Sequence, residues 1–97
     1  MEILKKAIEH YGPQNQMMVA MEESAELAQA VSKYIRCAKK WQFKEIIEAR
    51  DHVIEEIADV LIMIEQLKII LDIQNHEINC FKDYKVNRLK RRMEGGE

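Results

Sequence analysis

Two stretches of this chain carry the same pattern, Met21-Glu22-Glu23-Ser24-Ala25-Glu26-Leu27 and Ile54-Glu55-Glu56-Ile57-Ala58-Asp59-Val60. Each holds an acidic pair and, three residues after the pair's second member, a further carboxylate, in a segment that otherwise reads as apolar helix. At about 100° per residue, Glu23 falls in the middle of the stripe Val19, Ala20, Leu27, Ala30, Val31 and Tyr34, with Glu26 at its edge. Glu56 likewise falls among Val53, Val60, Met63, Ile64, Leu67 and Leu71, with Asp59 at the edge. Two helices thus each aim two carboxylates at their own core.

An ionised carboxylate in a core is costly unless it is paired or bound to metal. Converging carboxylates also repel, which raises their pKa values unless a divalent cation sits among them. The pattern therefore predicts a cation held by Glu23, Glu26, Glu56 and Asp59. A donor set of carboxylate oxygens alone suits Mg²⁺ or Mn²⁺ rather than Zn²⁺.

The rest of the chain reads as helix in every segment. A short first helix is expected from about Glu2 to His10, burying Ile3, Leu4, Ala7 and Ile8, and ended by Tyr11-Gly12-Pro13. A second runs from about Gln14 to Cys37 and a third from about Lys44 to Asp72, joined by Lys39-Lys40-Trp41-Gln42-Phe43. The third is apolar beyond one stripe, since Ile54, Ile57, Leu61, Ile62 and Ile69 lie on its other sides. A helix apolar nearly all round is buried on more than one face, and 97 residues hardly supply two, so a homo-oligomer is expected. A fourth helix is expected from about His76 to Arg92, with Asn75 as N-cap and Ile78, Phe81, Val86 and Leu89 as its contacts. The expectation is an all-α fold, one compact four-helix, bundle-like domain over residues 1–97, in which 1–13 form the short helix and turn and 93–97 a frayed tail.

Composition agrees: 47% hydrophobic and 33% charged residues with three Gly and one Pro suit a helical globular protein. A net charge of −2 gives no general nucleic-acid or membrane signal, although Lys82 to Arg92 is locally basic. Cys37 and Cys80 form no CxxC motif and read as small buried side chains in a reducing compartment. There is no signal-peptide pattern and no apolar run of ~18 residues, so a cytoplasmic protein is expected.

Glu23-x-x-Glu26 followed after a helical hairpin by Glu56-x-x-Asp59 resembles the MazG-like nucleotide pyrophosphohydrolases of the all-α NTP pyrophosphatase superfamily. The likeness covers about Gln16 to Arg92, and the ordered pair of motifs is far more specific than a single ExxE. It implies Mg²⁺-dependent hydrolysis of a nucleoside triphosphate between the α and β phosphorus atoms, giving a monophosphate and pyrophosphate. It also implies metal binding by Glu23, Glu26, Glu56 and Asp59, and a dimer or tetramer built on a helical bundle. The chain has one pair of acidic motifs, as in compact single-domain relatives, and a rather long gap between Glu26 and Glu56.

Further candidates carry competing readings. Glu22 and Glu55 flank the motifs, where they serve as supporting or general-base carboxylates or as solvated surface groups; Glu22, Glu23 and Glu26 remain open as the base. Similar proteins often have a Lys at the position of Lys33 and a Lys-x-x-Arg at Lys85 and Arg88, which implies phosphate contacts; the alternative is a basic surface. Gln16, two turns before Glu23, is placed to read a base edge or ribose, or simply packs near the helix start. Trp41 is expected to close over the hairpin rather than stack on a base; His52 shares the side of Glu56, and Met17, Met18 and Met21 read as packing. Two rival functions exist, beside a third reading that keeps the fold and site but assigns a different phosphorylated nucleotide or related pyrophosphate as substrate. A di-iron bundle would require Glu three residues before His, and positions 7, 49 and 73 hold Ala7, Ala49 and Ile73. A non-enzymatic helical interaction module would use the acids in inter-subunit salt bridges, bind nucleic acid through the basic tail in a salt-sensitive way, and show no metal-dependent stabilisation.

Overall fold

The computed structural model of the protein describes residues 2–95. It contains α1 (Glu2–Tyr11), α2 (Pro13–Lys39), α3 (Phe43–Ile70) and α4 (Asn75–Met93). Among the described residues there is no strand, as expected. Of the expected frayed tail, Glu94 and Gly95 form a turn and residues 96–97 lie outside the described residues.

The breaks follow local chemistry. Gly12, at φ 93°, donates its N–H to the Ile8 carbonyl at 2.8 Å and so closes α1 in a conformation strained for any residue with a Cβ. Pro13 then occupies the first turn of α2, where its missing N–H is not needed. Between α2 and α3, Trp41 sits at φ 57°, an uncommon conformation for a bulky residue. It is 75% exposed and meets Phe43 edge-on, with ring centroids 6.5 Å apart, so the expected tryptophan lid over the hairpin does not form. Helix α3 ends at Ile70 instead of Asp72, because Asp72 turns left-handed (φ 53°) and the Ile73 N–H reaches back to the Lys68 carbonyl at 2.9 Å. Asn75 is not the N-cap of α4. That position falls to Gln74, whose N–H donates to the Glu77 carboxylate at 3.2 Å, a bond with no counterpart for the Asn75 N–H, since the residue three places after it is Ile78.

Helices α2 and α3 form an antiparallel hairpin, and α1 packs on both. The buried apolar residues are Ile8, Ala20, Ala30, Cys37, Ala49 and Met63. Three of these six are alanines, which let the helices approach closely but leave little apolar volume inside. Leu4 and Ala7 are only half-buried and Ile3 faces solvent, because a ten-residue α1 lays a single edge on the hairpin.

The expected contacts of α4 do not form within the chain. No Cα of α4 lies within 8 Å of a Cα of α1, α2 or α3. Phe81, Val86 and Leu89 are exposed and Ile78 is half-buried. Cys80, expected inside, is exposed for the same reason, whereas Cys37 is buried. The projecting helix gives a radius of gyration of 17.2 Å, against ~12.5 Å for a compact chain of this length. Met18 and Met21 also lie in solvent, as do Ile54, Ile57, Leu61 and Ile62, so the second apolar side of α3 is present and bare in one chain. Among the described residues, no helix is long and apolar enough to cross a membrane.

Candidate metal centre

The hairpin has a fixed register. Gln16 near the start of α2 donates its amide N–H to Gln66 Oε1 near the end of α3 at 2.9 Å, in a buried bond. Counting inward from that pair brings Glu23 opposite Glu56 and Asp59. One carboxylate oxygen of each lies within 4.8 Å of the others. Glu56 is buried, with 7% of its surface accessible, and Glu23 and Asp59 are half-buried. The sequence spacing and the antiparallel packing together therefore produce a three-carboxylate cluster.

The cluster is electrostatically incomplete. Oε2 of Glu23 and Oε2 of Glu56 are shut off from solvent and accept no hydrogen bond. Burial raises the pKa of Glu23 above the 4.5 of an ordinary glutamate, and the charges of Glu26, Asp59 and Glu56 and a hydrogen bond with Glu26 raise it further. Among the described residues, the contact to the cluster from a basic side chain is that of His52, one turn before Glu56, whose Nε2 lies 3.3 Å from Glu56 Oε1. Buried carboxylate oxygens without donors, held in an all-oxygen set, fit a hard divalent cation.

The other predicted residues divide into those that join this site and those that do not. Glu26 is exposed and lies outside the three-carboxylate cluster, but it is close enough to Glu23 to share a hydrogen bond. Glu22 and Glu55 are exposed, and helical geometry places both on the side of the seam that Glu26 and Asp59 occupy. Lys33, also exposed, lines a cavity of about 370 Å³ on that side with Gln29, Ala30, Ser32, Arg36 and His52. Gln16 is buried and its amide N–H is engaged by Gln66, which turns it away from solvent. Lys85 and Arg88 lie on α4, which the chain does not bring to α2 or α3.

Sequence reasoning missed Gln66 and Arg36. Both had a readable signal: Gln66 lies seven residues after Asp59 on the same edge of α3, and Arg36 lies one turn after Lys33.

The model of the MazG nucleotide pyrophosphohydrolase domain matches residues 11–78, well over half of the chain and the whole of the α2–α3 hairpin. The chain belongs to the MazG family. In this MazG domain the matched span includes every carboxylate of the cluster and all of the cavity that Lys33 lines, and it ends early in α4. No curated protein and no solved structure matches the chain.

Proposed function

We propose that this MazG domain is a Mg²⁺-dependent nucleoside triphosphate pyrophosphohydrolase that cleaves between the α and β phosphorus atoms. The observation that carries the reading is the set of three carboxylates within 4.8 Å of one another, two of which have a buried oxygen with no donor. Glu23, Glu56 and Asp59, with Glu26 at the open edge, would hold Mg²⁺ or Mn²⁺. Such an ion supplies charge neutralisation on the phosphates and acidifies bound water.

The chain's own groups supply the remainder. Attack by water oxygen on the α-phosphorus breaks its bond to the bridging oxygen, which leaves with the electron pair as pyrophosphate, while a carboxylate takes the water's proton. Glu22 and Glu55 suit that last role: each flanks the cluster, is exposed, and has no hydrogen bond or ion pair among the described residues. Lys33 offers its ammonium to the phosphates from the same side.

The working form is an oligomer of this chain. Ile57 and Leu61 on α3 and Val31 and Ile35 on α2 leave an apolar side of the hairpin open, opposite the carboxylates. A second copy placed there would complete a bundle and cover that side, and a copy whose α4 reaches the carboxylate side would supply Lys85 and Arg88 to a nucleotide. Whether two or four chains assemble decides which copy supplies them.

The test is to incubate the protein with each common ribo- and deoxyribonucleoside triphosphate, in Mg²⁺ and in chelator, and separate the products. Monophosphate and pyrophosphate, lost in chelator and in Glu56→Gln, are expected. Diphosphate and orthophosphate would refute the bond assignment. A folded protein that turns over no triphosphate and whose melting temperature ignores Mg²⁺ would favour the interaction module.

A further inference from the structure

The cavity beside the carboxylates has a composition of its own. Its walls are Gln29, Ala30, Ser32, Lys33 and Arg36 from α2 and His52 from α3, and its volume is about 370 Å³. Lys33 and Arg36 are its two permanent cations, and neither forms an ion pair with a carboxylate among the described residues. Arg36 Nη1 donates to Ser32 Oγ at 2.9 Å, which holds the guanidinium in place and, among the described residues, leaves its other N–H groups without an acceptor. The opposite side of the same seam is different: Val31, Tyr34, Arg50 and Val53 line a largely aliphatic and aromatic cleft.

Two features aim the basic cavity at the acidic cluster. Side chains on a helix lean toward its N-terminus, and on α2 that direction runs from Arg36 and Lys33 back toward Glu26 and Glu23. The Arg36 bond to Ser32, one turn nearer the cluster, shows that lean directly. His52 is a shared wall, lining the cavity while its Nε2 contacts Glu56. At 1.5 Å per residue, Lys33 lies about 10 Å along the axis from Glu26 and Arg36 about 15 Å, so a chain of phosphates fixed at the carboxylates would extend into the cavity.

We propose that this cavity is the leaving-group subsite, which receives the terminal diphosphate of the nucleotide, and that Arg36 makes the site require three phosphates. The inference rests on the pyrophosphohydrolase reading above. Lys33 meets the nearer phosphate as a point charge. Arg36, farther out and held by Ser32, presents a planar fork to the terminal one. A nucleoside diphosphate fixed by its α-phosphate at the carboxylates leaves Arg36 without an anion. The subsite therefore selects chain length independently of the base.

The test compares wild type with Arg36→Ala and Arg36→Lys. KM and kcat are measured for a nucleoside triphosphate and the matching diphosphate, and inorganic pyrophosphate is titrated calorimetrically in Mg²⁺. Arg36→Ala is expected to raise KM for the triphosphate and weaken pyrophosphate binding by roughly 10- to 100-fold. Its effect on the diphosphate should be much smaller, kcat should move less than KM, and Arg36→Lys should recover part of the loss. The melting-temperature response to Mg²⁺ should match wild type, because Arg36 touches no carboxylate of the cluster. Equal pyrophosphate affinity in wild type and Arg36→Ala, with triphosphate still converted to monophosphate, would overturn the subsite and leave the reaction standing. Arg36-dependent pyrophosphate binding without any hydrolysis would support an anion site here and overturn the reaction on which it rests.

Discussion

Replacing Glu56 by Gln should make the metal-free protein more stable and the Mg²⁺-loaded protein less stable than wild type. Glu56 is buried, and its carboxylate lies within 4.8 Å of its acidic neighbours. At 4.8 Å a like-charge pair costs about 3.5 kcal/mol at an effective dielectric of ~20 and about 0.9 kcal/mol at ~80. The site is half-open, so removing the charge of Glu56 should relieve a value near the lower limit from each of its two neighbours, Glu23 and Asp59. Against this stands the contact with His52 at 3.3 Å, which, as a partly exposed pair, contributes at most about 1 kcal/mol. The net is about 1–2 kcal/mol in favour of Gln, or a melting temperature higher by at least ~4 °C for a domain of this size. Magnesium at a hundredfold its dissociation constant should add about 2.7 kcal/mol to wild type and little to the variant, which reverses the order. Thermal melts of both proteins at one fixed protein concentration, in chelator and in Mg²⁺, read all four values. A variant that melts below wild type in chelator would show that Glu56 is held by favourable contacts, and the repulsion argument for a cation would fail.

Three further outcomes follow from the same geometry. Glu23 has a pKa raised in the fold, so folding takes up a proton there: without metal, its penalty is full at pH above the raised value, falls as pH drops through it, and is gone below 4.5. The gap in melting temperature between wild type and Glu23→Gln in chelator should therefore narrow from pH 7 toward pH 4.5, and a constant gap would refute the assignment. Gln66→Ala strands the Gln16 amide that Gln66 accepts from and should cost about 1–3 kcal/mol in denaturant titrations, with metal affinity largely kept; no loss would mean that water replaces the bond without cost. Leu61→Asp, on the bare side of α3, should abolish the self-association proposed above in sedimentation measurements, and a mass equal to that of wild type would remove that side from the proposed interface.

The clustering of the carboxylates was more legible in the sequence than the packing was. Glu23, Glu56 and Asp59 could be placed because a carboxylate at the centre of an apolar helical stripe is a local contradiction, and helical periodicity resolves position to within one residue. The helix ends were legible where Gly12 and Pro13 dictate backbone geometry. They were misjudged where the end depends on a residue turning left-handed, as at Asp72, or on a reciprocal bond such as Gln74 with Glu77. Burial was the weakest inference. Ile3, Met21, Phe81 and Leu89 are apolar and were assigned to contacts, yet they are exposed. Apolarity states that a residue benefits from leaving water and does not state which chain covers it. The fate of Gln16 was hidden for a related reason, since its partner lies on the far helix and only the hairpin register reveals it.

Helix α4 has nineteen residues and no neighbouring helix from its own chain. Nucleating a helix in water is unfavourable, and a segment of this length without tertiary support is held only by local terms. Here these are the Gln74–Glu77 bond at its start and Lys90, Arg91 and Arg92 complementing the dipole at its end. Its amides should exchange with solvent through local opening while those of α2 and α3 wait for global unfolding. If association covers α4, its helicity becomes a function of protein concentration. Dilution would then melt the last quarter of the chain first, and a circular dichroism signal that falls on dilution would report assembly without any label.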